Sequence, residues 1–564
     1  MQPQVLGIQP QLLTLNQLLN GRLFRVPEYQ RSYSWDTKQR VDLFSDIEKA
    51  RSTGGQHFMA TIVGLRRGTR NILTDDFAVI EIVDGQQRLT TLIILLKATE
   101  MALDSTNATQ STVAQELQKL LVKADELAPV LLQTNHDSSH HCVTYLREGS
   151  HPPVSAAETL ADRYLLGAMA DCERYVQEWR DSGSDLNELV TLLKNRLYFV
   201  FHEVVDEAAV YLVFEVLNSR GLDVSWFDRL KSVLMGIAFE AGTGNATETI
   251  DEIHSVWQRI YSTIGLRQGL STEALRFAAT LTVQSRPSRP LGEEESVKVL
   301  RSKCENTAKG AIDVSEWVLR VTRAADSLYA DKRLGAVTTI VQARLLAVAL
   351  QMREDLSSEE RESLLRDWER VSFRIYGMSR KDARTKVGDY VRLAWKCVQK
   401  TPGAEELRAE IRALGSDYPI ESAVDQLRDS DCYWEWQTEL RYFMFRYEEY
   451  LAKTKGQNFD NEQWSRIWED SAARSIEHIF PQSKGFDCPT TTGIFVHRLG
   501  NLTLLPPRLN SKLQDLDPTD KKNEYLNTGL AVAVDVANRI PPWDRQSVEK
   551  REEELLEWAA SEWA

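Results

Sequence analysis

The sequence predicts an α+β protein that is mostly helical. Within residues 1–100 strand patterns alternate with helix patterns, and the candidate strands are 22–26, 57–65, 78–83 and, further along, 197–205. From about residue 92 to residue 430 apolar residues recur mainly at helical spacing, for example over 111–133. Beyond residue 430 the chain is rich in Trp and Tyr, and its loops carry Pro, Asn, Thr and Gly. We therefore predict three domains, at 1–235, 236–430 (a helical linking region) and 431–564.

The composition is that of a globular protein, and we expect it in the cytoplasm. Of 564 residues, 42% are hydrophobic and 27% are charged. No apolar run approaches the ~20 residues of a membrane helix, and the start of the chain lacks the features of a signal peptide. The six cysteines form no Cys-x-x-Cys pair, which argues against a disulfide framework or a zinc ribbon. A formal net charge of -14 argues against a protein that coats nucleic acid non-specifically. It does not exclude a nucleic-acid enzyme with local basic patches.

A strand-to-helix junction, VDGQQRLTT (83–91), carries the first group of candidate site residues. These residues are consecutive and are Asp84, Gly85, Gln86, Gln87 and Arg88. A helix is predicted from about Leu89, and the free N–H groups at a helix start bind anions. Arg88 adds a guanidinium suited to phosphate, Asp84 is suited to a magnesium ion or a water, and the two glutamines could position a water. The junction predicts a nucleotide-phosphate site, with a plain Asp-Gly turn as the alternative.

Two further segments hold candidate residues for the same site. Gln30 and Arg31 follow a Pro-x-Tyr turn in VPEYQRSYSW (26–35), and a buried arginine would need a partner. Asn218 and Arg220 lie in a predicted loop between two helices within 213–232. They either face the phosphates or form an ordinary helix C-cap.

These three segments, in this order, resemble the GmrS-type N-terminal domain of GmrSD-family type IV restriction enzymes. The resemblance covers roughly the first 235 residues. It implies a ParB/sulfiredoxin-like fold that binds and hydrolyses a nucleoside triphosphate, with the segment 84–88 at its centre. No base-reading motif identifies which nucleotide is bound.

A second constellation lies near the C-terminal end, in SIEHIFPQS (475–483) and HRLGNLTLLPPRLNSKLQD (497–515). A short strand carries Glu477 and His478, a loop leads to Asn501 and a second strand, and a helix predicted from Arg508 carries Asn510. His478 would take a proton from the attacking water, because a histidine pKa lies near working pH. Oxygens of Glu477 and Asn510 would hold a hard divalent cation, magnesium or manganese. Asn501 would orient His478 by a hydrogen bond.

Basic and aromatic residues complete this prediction. Three cations are candidates for holding the DNA backbone: Arg508, Lys512 and Lys522. His497 is either a ligand or phosphate contact or a surface loop residue, and we expect the latter. In the absence of a zinc knuckle, aromatic packing must stabilise the domain, and the candidates for that core are Trp434, Trp436, Trp464, Trp468 and Trp543.

The pattern resembles the HNH, or ββα-metal, nucleases and more closely the GmrD-type C-terminal domain. The family pattern implies the base at His478, the central asparagine at Asn501 and the third-position ligand at Asn510. The whole chain then resembles a single-chain anti-phage restriction endonuclease acting on double-stranded, modified foreign DNA, and it is also similar to SspE-like proteins. In this hypothesis the nucleotide state of the sensor gates the nuclease, and a homo-oligomer is left open.

Two other functions remain compatible with the sequence. One is a non-catalytic nucleic-acid-binding regulator or antitoxin-like protein with a degenerate nuclease domain, which the acidic net charge favours slightly. The other is a nickase whose N-terminal half only recognises DNA.

Overall fold

The computed structural model describes residues 9–27, 32–123, 129–133, 139–204, 225–241, 246–267, 269–456, 459–484 and 494–564. The chain forms two compact units, one from 1–278 and 292–323 and the other from 279–291 and 324–564. The predicted α+β, mostly helical class is confirmed. The proposed three-domain division stays a prediction. Within the described residues, no helix has the length and apolar character needed to span a membrane.

The first unit contains a mixed sheet built from six described strands. They are β1 (Gln9–Thr14), β2 (Arg22–Val26), β3 (His57–Ile72), β4 (Asp75–Asp84), β5 (Leu131–Gln133) and β6 (Leu197–Val204). Their order across the sheet is β1-β6-β3-β4-β2-β5. β2 runs parallel to β4 and to β5, whereas β3 and β4 are antiparallel. All four strands predicted from the sequence are present, and β3 extends well beyond its predicted end.

Helices of the first part of the chain pack around this sheet or follow it. In chain order they are α1 (Leu15–Leu19), α2 (Thr37–Thr53), α3 (Gln86–Ala102), α4 (Ala108–Leu121), α5 (Ser139–Glu148), α6 (Leu160–Asp181), α7 (Leu186–Asn195), α8 (Trp226–Ala241), α9 (Ala246–Ile264), α10 (Leu270–Thr282) and α11 (Glu293–Lys303). α3 is buried on nearly every side, because its central residues Leu89 to Leu96 are almost all apolar or threonine. A helix that is apolar all round belongs inside a core.

The helix predicted over 111–133 is wrong in its second half. α4 ends at Leu121, and residues 131–133 instead form β5, which pairs with β2. Val122 makes an isolated bridge with Pro129. Proline has no N–H to donate and disrupts a helix interior, so the chain turns back into the sheet here.

The described residues of the second unit are helical apart from one antiparallel pair of strands. Helix α12 (Ala308–Ala330) begins in the first unit and ends in the second. The α-helices that follow it are α13 (Lys332–Ala336), α14 (Val341–Gln351), α15 (Ser358–Ser372), α16 (Val387–Gln399), α17 (Ala404–Leu414), α18 (Ile420–Asp425), α19 (Gln437–Lys455), α20 (Asn461–Glu469), α21 (Ala472–Ser475), α22 (Pro507–Leu513), α23 (Pro518–Leu526), α24 (Ala531–Ala537) and α25 (Arg545–Glu562). The strand pair consists of β7 (Ile476–His478) and β8 (Leu502–Leu504).

An aromatic core stabilises this unit, as the sequence predicts. Trp436 and Trp464 are each 1% exposed, and Trp543 is also buried. Trp436 donates its indole N–H to the carbonyl of Gly377 (2.8 Å), which satisfies its buried polar atom. The prediction is wrong for Trp434, whose side chain is 62% exposed.

Candidate functional site

The C-terminal constellation folds as a strand, a loop, a second strand and a helix. β7 and β8 pair antiparallel, with His478 opposite Leu502. Pro506 and Pro507 end β8 and begin α22, which carries Asn510. The amide nitrogen of Asn510 donates to the carbonyls of Arg474 (2.8 Å) and Ile476 (2.9 Å). Asn510 therefore ties the helix to the start of β7 and completes a ββα arrangement.

His478 does not stand alone, because a second histidine faces it. Nε2 of His478 lies 3.0 Å from Nδ1 of His497. The ring of Tyr433 is stacked on His497 (centroids 5.2 Å apart) and lies 4.4 Å from the ring of His478. Both histidines are buried, at 9% and 8% exposure, so the expectation that His497 is a surface residue is wrong. This pair was not predicted, because the two histidines lie 19 positions apart in the chain and no local pattern relates them.

Burial sets the protonation state of this histidine pair. Desolvation, followed by the neighbouring His497 and Lys521, lowers the pKa of His478 to about 3. Burial also lowers the pKa of His497. Both rings are therefore neutral near pH 7, which is the form that accepts a proton. The expectation that the pKa of His478 lies near working pH is wrong, because burial disfavours the imidazolium.

Glu477 occupies the opposite face of β7 from His478, because successive strand residues alternate. Its side chain is 2% exposed, and Oε1 forms an ion pair with the fully buried Lys521 (2.8 Å). Tyr525 donates its hydroxyl to the same oxygen (2.7 Å). Burial raises the pKa of Glu477, and Lys521 opposes that effect. The predicted role of Glu477 as a metal ligand is wrong, since the carboxylate faces an ammonium in the core.

Asn501 also has a role different from the predicted one. Its Oδ1 accepts from the N–H of Phe480 (2.9 Å) and the indole of Trp543 (3.1 Å). Its Nδ2 donates to the carbonyls of Phe480 (3.1 Å) and Val496 (2.9 Å). The predicted bond to His478 is absent from these contacts. Asn501 instead joins the main chain that follows His478 to the main chain that precedes His497.

The turn that carries Asn501 is held by α25. Arg551, 1% exposed, donates to the carbonyls of Gly500 (2.9 Å) and Leu502 (2.8 Å), and burial lowers its pKa to about 10. A Cβ at Gly500 would overlap the carbonyl oxygen of Val548. The glycine is needed because a helix backbone approaches it this closely.

The three predicted DNA-backbone cations differ in their surroundings. Arg508 is exposed, which fits a contact with phosphate. Lys512 is 65% exposed and pairs with Glu524 (2.7 Å), a surface pair that exchanges easily with another anion. Lys522 donates to the carbonyl of Ile540 (2.6 Å), so its ammonium supports the fold, contrary to the prediction.

The described residues do not fit the predicted divalent-cation site. A hard cation prefers several oxygen ligands, usually including carboxylates. Glu477 is paired with Lys521. The amide nitrogen of Asn510 donates to two backbone carbonyls, so the Asn510 side chain has only its oxygen available as a ligand. No group of three or more His, Cys, Asp or Glu side chains that could hold a metal occurs in the described part of the chain.

The N-terminal candidate site lies where β2 and β4 end. The two strands are parallel neighbours, so the loop after β2 and the junction after β4 meet at one edge of the sheet. α3 begins at Gln86, earlier than predicted, with Gly85 at φ 90° as its N-cap. A Cβ at Gly85 would lie 2.9 Å from Cγ1 of Ile62. Both the positive φ and this close approach require glycine.

Gln87 holds the two loops together. Its side-chain oxygen accepts from the N–H of Ser34 (2.8 Å), and its nitrogen donates to the carbonyl of Ser32 (3.1 Å). Gln87 is 6% exposed, and Gln86 is equally buried. The amide of Gln87 thus bonds to the loop in this structure, and its predicted role in positioning a water stays a prediction. Asp84 is half-buried at the end of β4.

Arg88 is the cation at this helix start. Its guanidinium lies over the ring of Trp35, 5.7 Å from the centroid. Burial lowers its pKa, while Asp46 and Asp84 act in the opposite direction. Its Nε is buried and has no hydrogen-bond partner among the residues that the structure describes. The other candidates for this site, Gln30, Arg31, Asn218 and Arg220, lie outside the described residues.

Comparison with known proteins identifies both ends of the chain. Residues 15–235 match the sequence model of the GmrSD restriction endonuclease N-terminal domain. Residues 419–558 match that of the C-terminal domain of GmrSD restriction endonucleases. Both candidate sites fall inside the matched segments. A comparison with curated proteins gives no match.

Proposed function

The chain belongs to the GmrSD restriction endonuclease family, a family of nucleases that act on DNA, and we propose that it hydrolyses foreign DNA at the His478–His497 pair under control of a nucleotide. One observation carries the proposal. The two imidazoles lie 3.0 Å apart on a ββα element within the segment matched by the C-terminal family model.

The pair supplies a general base. Two neutral imidazoles that share one N–H···N bond retain one N–H and one lone pair on their outer nitrogens. That lone pair accepts a proton from water as the water oxygen bonds to phosphorus. The bond from phosphorus to the leaving sugar oxygen breaks, and the leaving oxygen takes a proton from solvent. The positive charge is then shared across a charge-assisted N–H···N bond, which is stronger than a neutral one.

Asn501, Arg551 and Lys521 act as positioning residues in this proposal. They hold the main chain on both sides of the two histidines through buried hydrogen bonds. A base held by buried contacts loses little orientation entropy when the substrate arrives. Arg508 and Lys512 would hold the DNA backbone. Because the described residues do not fit the predicted cation site, we assign no step of the reaction to a metal.

The nucleotide part of the proposal is supported by Arg88. Nε of Arg88 has no hydrogen-bond partner in the part of the chain that the structure describes, which is costly for a buried atom. A phosphate at the start of α3 would supply an acceptor. Gln87 couples the start of α3 to the loop 32–34, so a bound nucleotide would bias the position of that loop. We propose that hydrolysis of a nucleoside triphosphate here gates cleavage, and that modified bases of phage DNA are the trigger.

The test is cleavage of matched modified and unmodified duplex DNA, with nucleotide and magnesium or manganese present. Wild type, His478→Ala and Arg88→Ala are compared. We expect no cleavage by His478→Ala and unregulated or lost cleavage by Arg88→Ala. Cleavage that persists in His478→Ala would overturn the assigned site, and cleavage that ignores both nucleotide and modification would overturn the gating.

A non-catalytic regulator is the second candidate, and one observation favours it. His478 is 9% exposed beneath Tyr433, so the described conformation gives a phosphate little access. DNA binding without cleavage of any substrate would establish this alternative.

A further inference from the structure

The indole of Trp434 is exposed beside the histidine pair. Its side chain is 62% exposed, whereas Trp436, two residues later, is 1% exposed. Its ring lies edge-on to His497, with centroids 6.3 Å apart, and 4.8 Å from the ring of Tyr433. The exposed indole thus borders the histidine pair. Leaving so large an apolar surface in water forfeits the stability that its burial would give.

The segment that carries Trp434 is fixed by its backbone. Oδ1 of Asp431 accepts from the N–H groups of Tyr433 (3.0 Å) and Trp434 (2.9 Å). The N–H of Cys432 donates to the carbonyl of His497 (3.0 Å). The indole therefore stands on a rigid turn beside the site, and its position does not depend on burial of its own ring.

Charges around the turn favour one kind of contact. Asp429 pairs with Arg498 (2.5 Å), and Glu435 pairs with Arg380 (2.6 Å). Arg498 is also paired with Glu552, and the carboxylate of Asp431 caps the turn itself. Among these side chains the carboxylates outnumber the cations, so the turn offers no surplus cation to a phosphate. The contact that this turn offers to DNA is therefore the face of the indole, on which a base stacks with little dependence on its identity.

We propose that Trp434 stacks on a base next to the phosphate that reaches the His478–His497 pair. This inference rests on the proposed nuclease function, because it takes DNA as the occupant. In a duplex the base faces are covered by their neighbours, so the contact requires an unstacked step or a base turned out of the helix. Trp434 would then select DNA whose bases open easily at the cleavage position.

The experiment measures DNA binding by full-length chains that carry His478→Ala, so that cleavage does not interfere. Fluorescence anisotropy gives Kd for a labelled single strand, a perfect duplex and a duplex with one mismatch. Trp434→Ala is expected to weaken binding by roughly 5- to 150-fold, the range for loss of one stacked base. Trp434→Phe should retain most of the affinity. A mismatch should strengthen binding with Trp434 present and have no effect in Trp434→Ala.

Tyr450→Ala is the matched control. Tyr450 is 43% exposed on α19, and its ring contacts are Tyr447 and Trp558 instead of the histidines. Equal affinity of Trp434→Ala and the His478→Ala parent would overturn this inference while leaving the nuclease proposal intact. Loss of DNA binding by every chain, the parent included, would overturn both. A Trp434→Ala chain that binds DNA normally but changes from oligomer to monomer would show that a second copy covers the indole.

Discussion

Nε2 of His478 and Nδ1 of His497 face each other at 3.0 Å under the ring of Tyr433. The two histidines come from different segments, one at the end of β7 and the other in the short 3-10 helix Ile494–His497. Their contact turns a single predicted base into a pair that shares a proton.

Replacing the second histidine should slow cleavage without weakening DNA binding. In His497→Ala the imidazolium of His478 loses its acceptor, and we expect the cleavage rate to fall by about 10²- to 10⁴-fold, the contribution of general base catalysis. His497→Gln should restore part of the rate, because an amide can still accept or donate. Single-turnover cleavage and anisotropy measure the two quantities. His140→Ala, which replaces an exposed histidine, is the control. A cleavage rate in His497→Ala equal to that of the wild type would show that His478 acts as the base without His497.

Glu477 should prove structural when its charge is removed. Glu477→Gln leaves the Lys521 ammonium buried without a carboxylate, which typically costs about 3–5 kcal/mol of unfolding free energy. The double variant Glu477→Leu/Lys521→Met removes both charges and should recover part of that loss. Urea unfolding measures stability, and calorimetry measures Mn²⁺ binding. If a Glu477→Gln chain had normal stability but bound Mn²⁺ much more weakly, Glu477 would be a metal ligand after all.

The stability of the unit should fall as the pH is lowered. The folded pKa of His478 is lowered to about 3, so between about pH 6.5 and pH 3 the unfolded chain binds a proton that the folded chain does not. Unfolding free energy should therefore decrease by about 1.4 kcal/mol per pH unit in that window for this group. Urea midpoints at pH 7, 6 and 5 for wild type and His478→Gln test this. The variant should show a shallower dependence; parallel curves would contradict the assignment.

Gly500 should not tolerate a methyl group. Because a Cβ there would overlap the Val548 carbonyl, α25 must move away and the contacts of Arg551 with the Asn501 turn weaken. We expect Gly500→Ala to destabilise the unit by about 2 kcal/mol or more, the range for overpacking, and to reduce cleavage with it. Thermal unfolding measures the effect. Gly236→Ala is the control, since a Cβ there meets nothing within 4 Å; similar unfolding temperatures for the two variants would refute the prediction.

Arg88 should determine nucleotide affinity. Arg88→Ala removes the guanidinium above Trp35, and we expect nucleotide binding to weaken by about 10-fold or more, the effect of losing a charge-assisted hydrogen bond. Arg88→Lys should not restore binding, because an ammonium lacks the planar fork that stacks on an indole. Calorimetric titration with several nucleoside triphosphates measures this. Arg180→Ala, at an exposed arginine of α6, should bind normally. Normal nucleotide binding by Arg88→Ala would show that residues 84–88 do not form the nucleotide site.

Local patterns in the sequence were sufficient for the elements that carry both sites. Short runs of apolar, aromatic and β-branched residues predict β2, β4 and β6, and the Asp-Gly pair predicts the turn at the start of α3. The proline pair before α22 and the spacing from His478 to Asn510 predict the ββα element. These features depend on residues that are close in the chain, where steric and hydrogen-bonding preferences act without knowledge of the rest of the fold.

The tertiary structure decided what each side chain faces. Strand alternation separates Glu477 from His478, but only the packing of α23, more than 40 residues later, makes the Glu477 side the buried one through Lys521 and Tyr525. Likewise, Asn501 joins two main-chain segments, and Trp434 remains outside the core while Trp436 enters it. A residue type fixes which bonds a side chain can make; the long-range packing that excludes water determines which partner satisfies them.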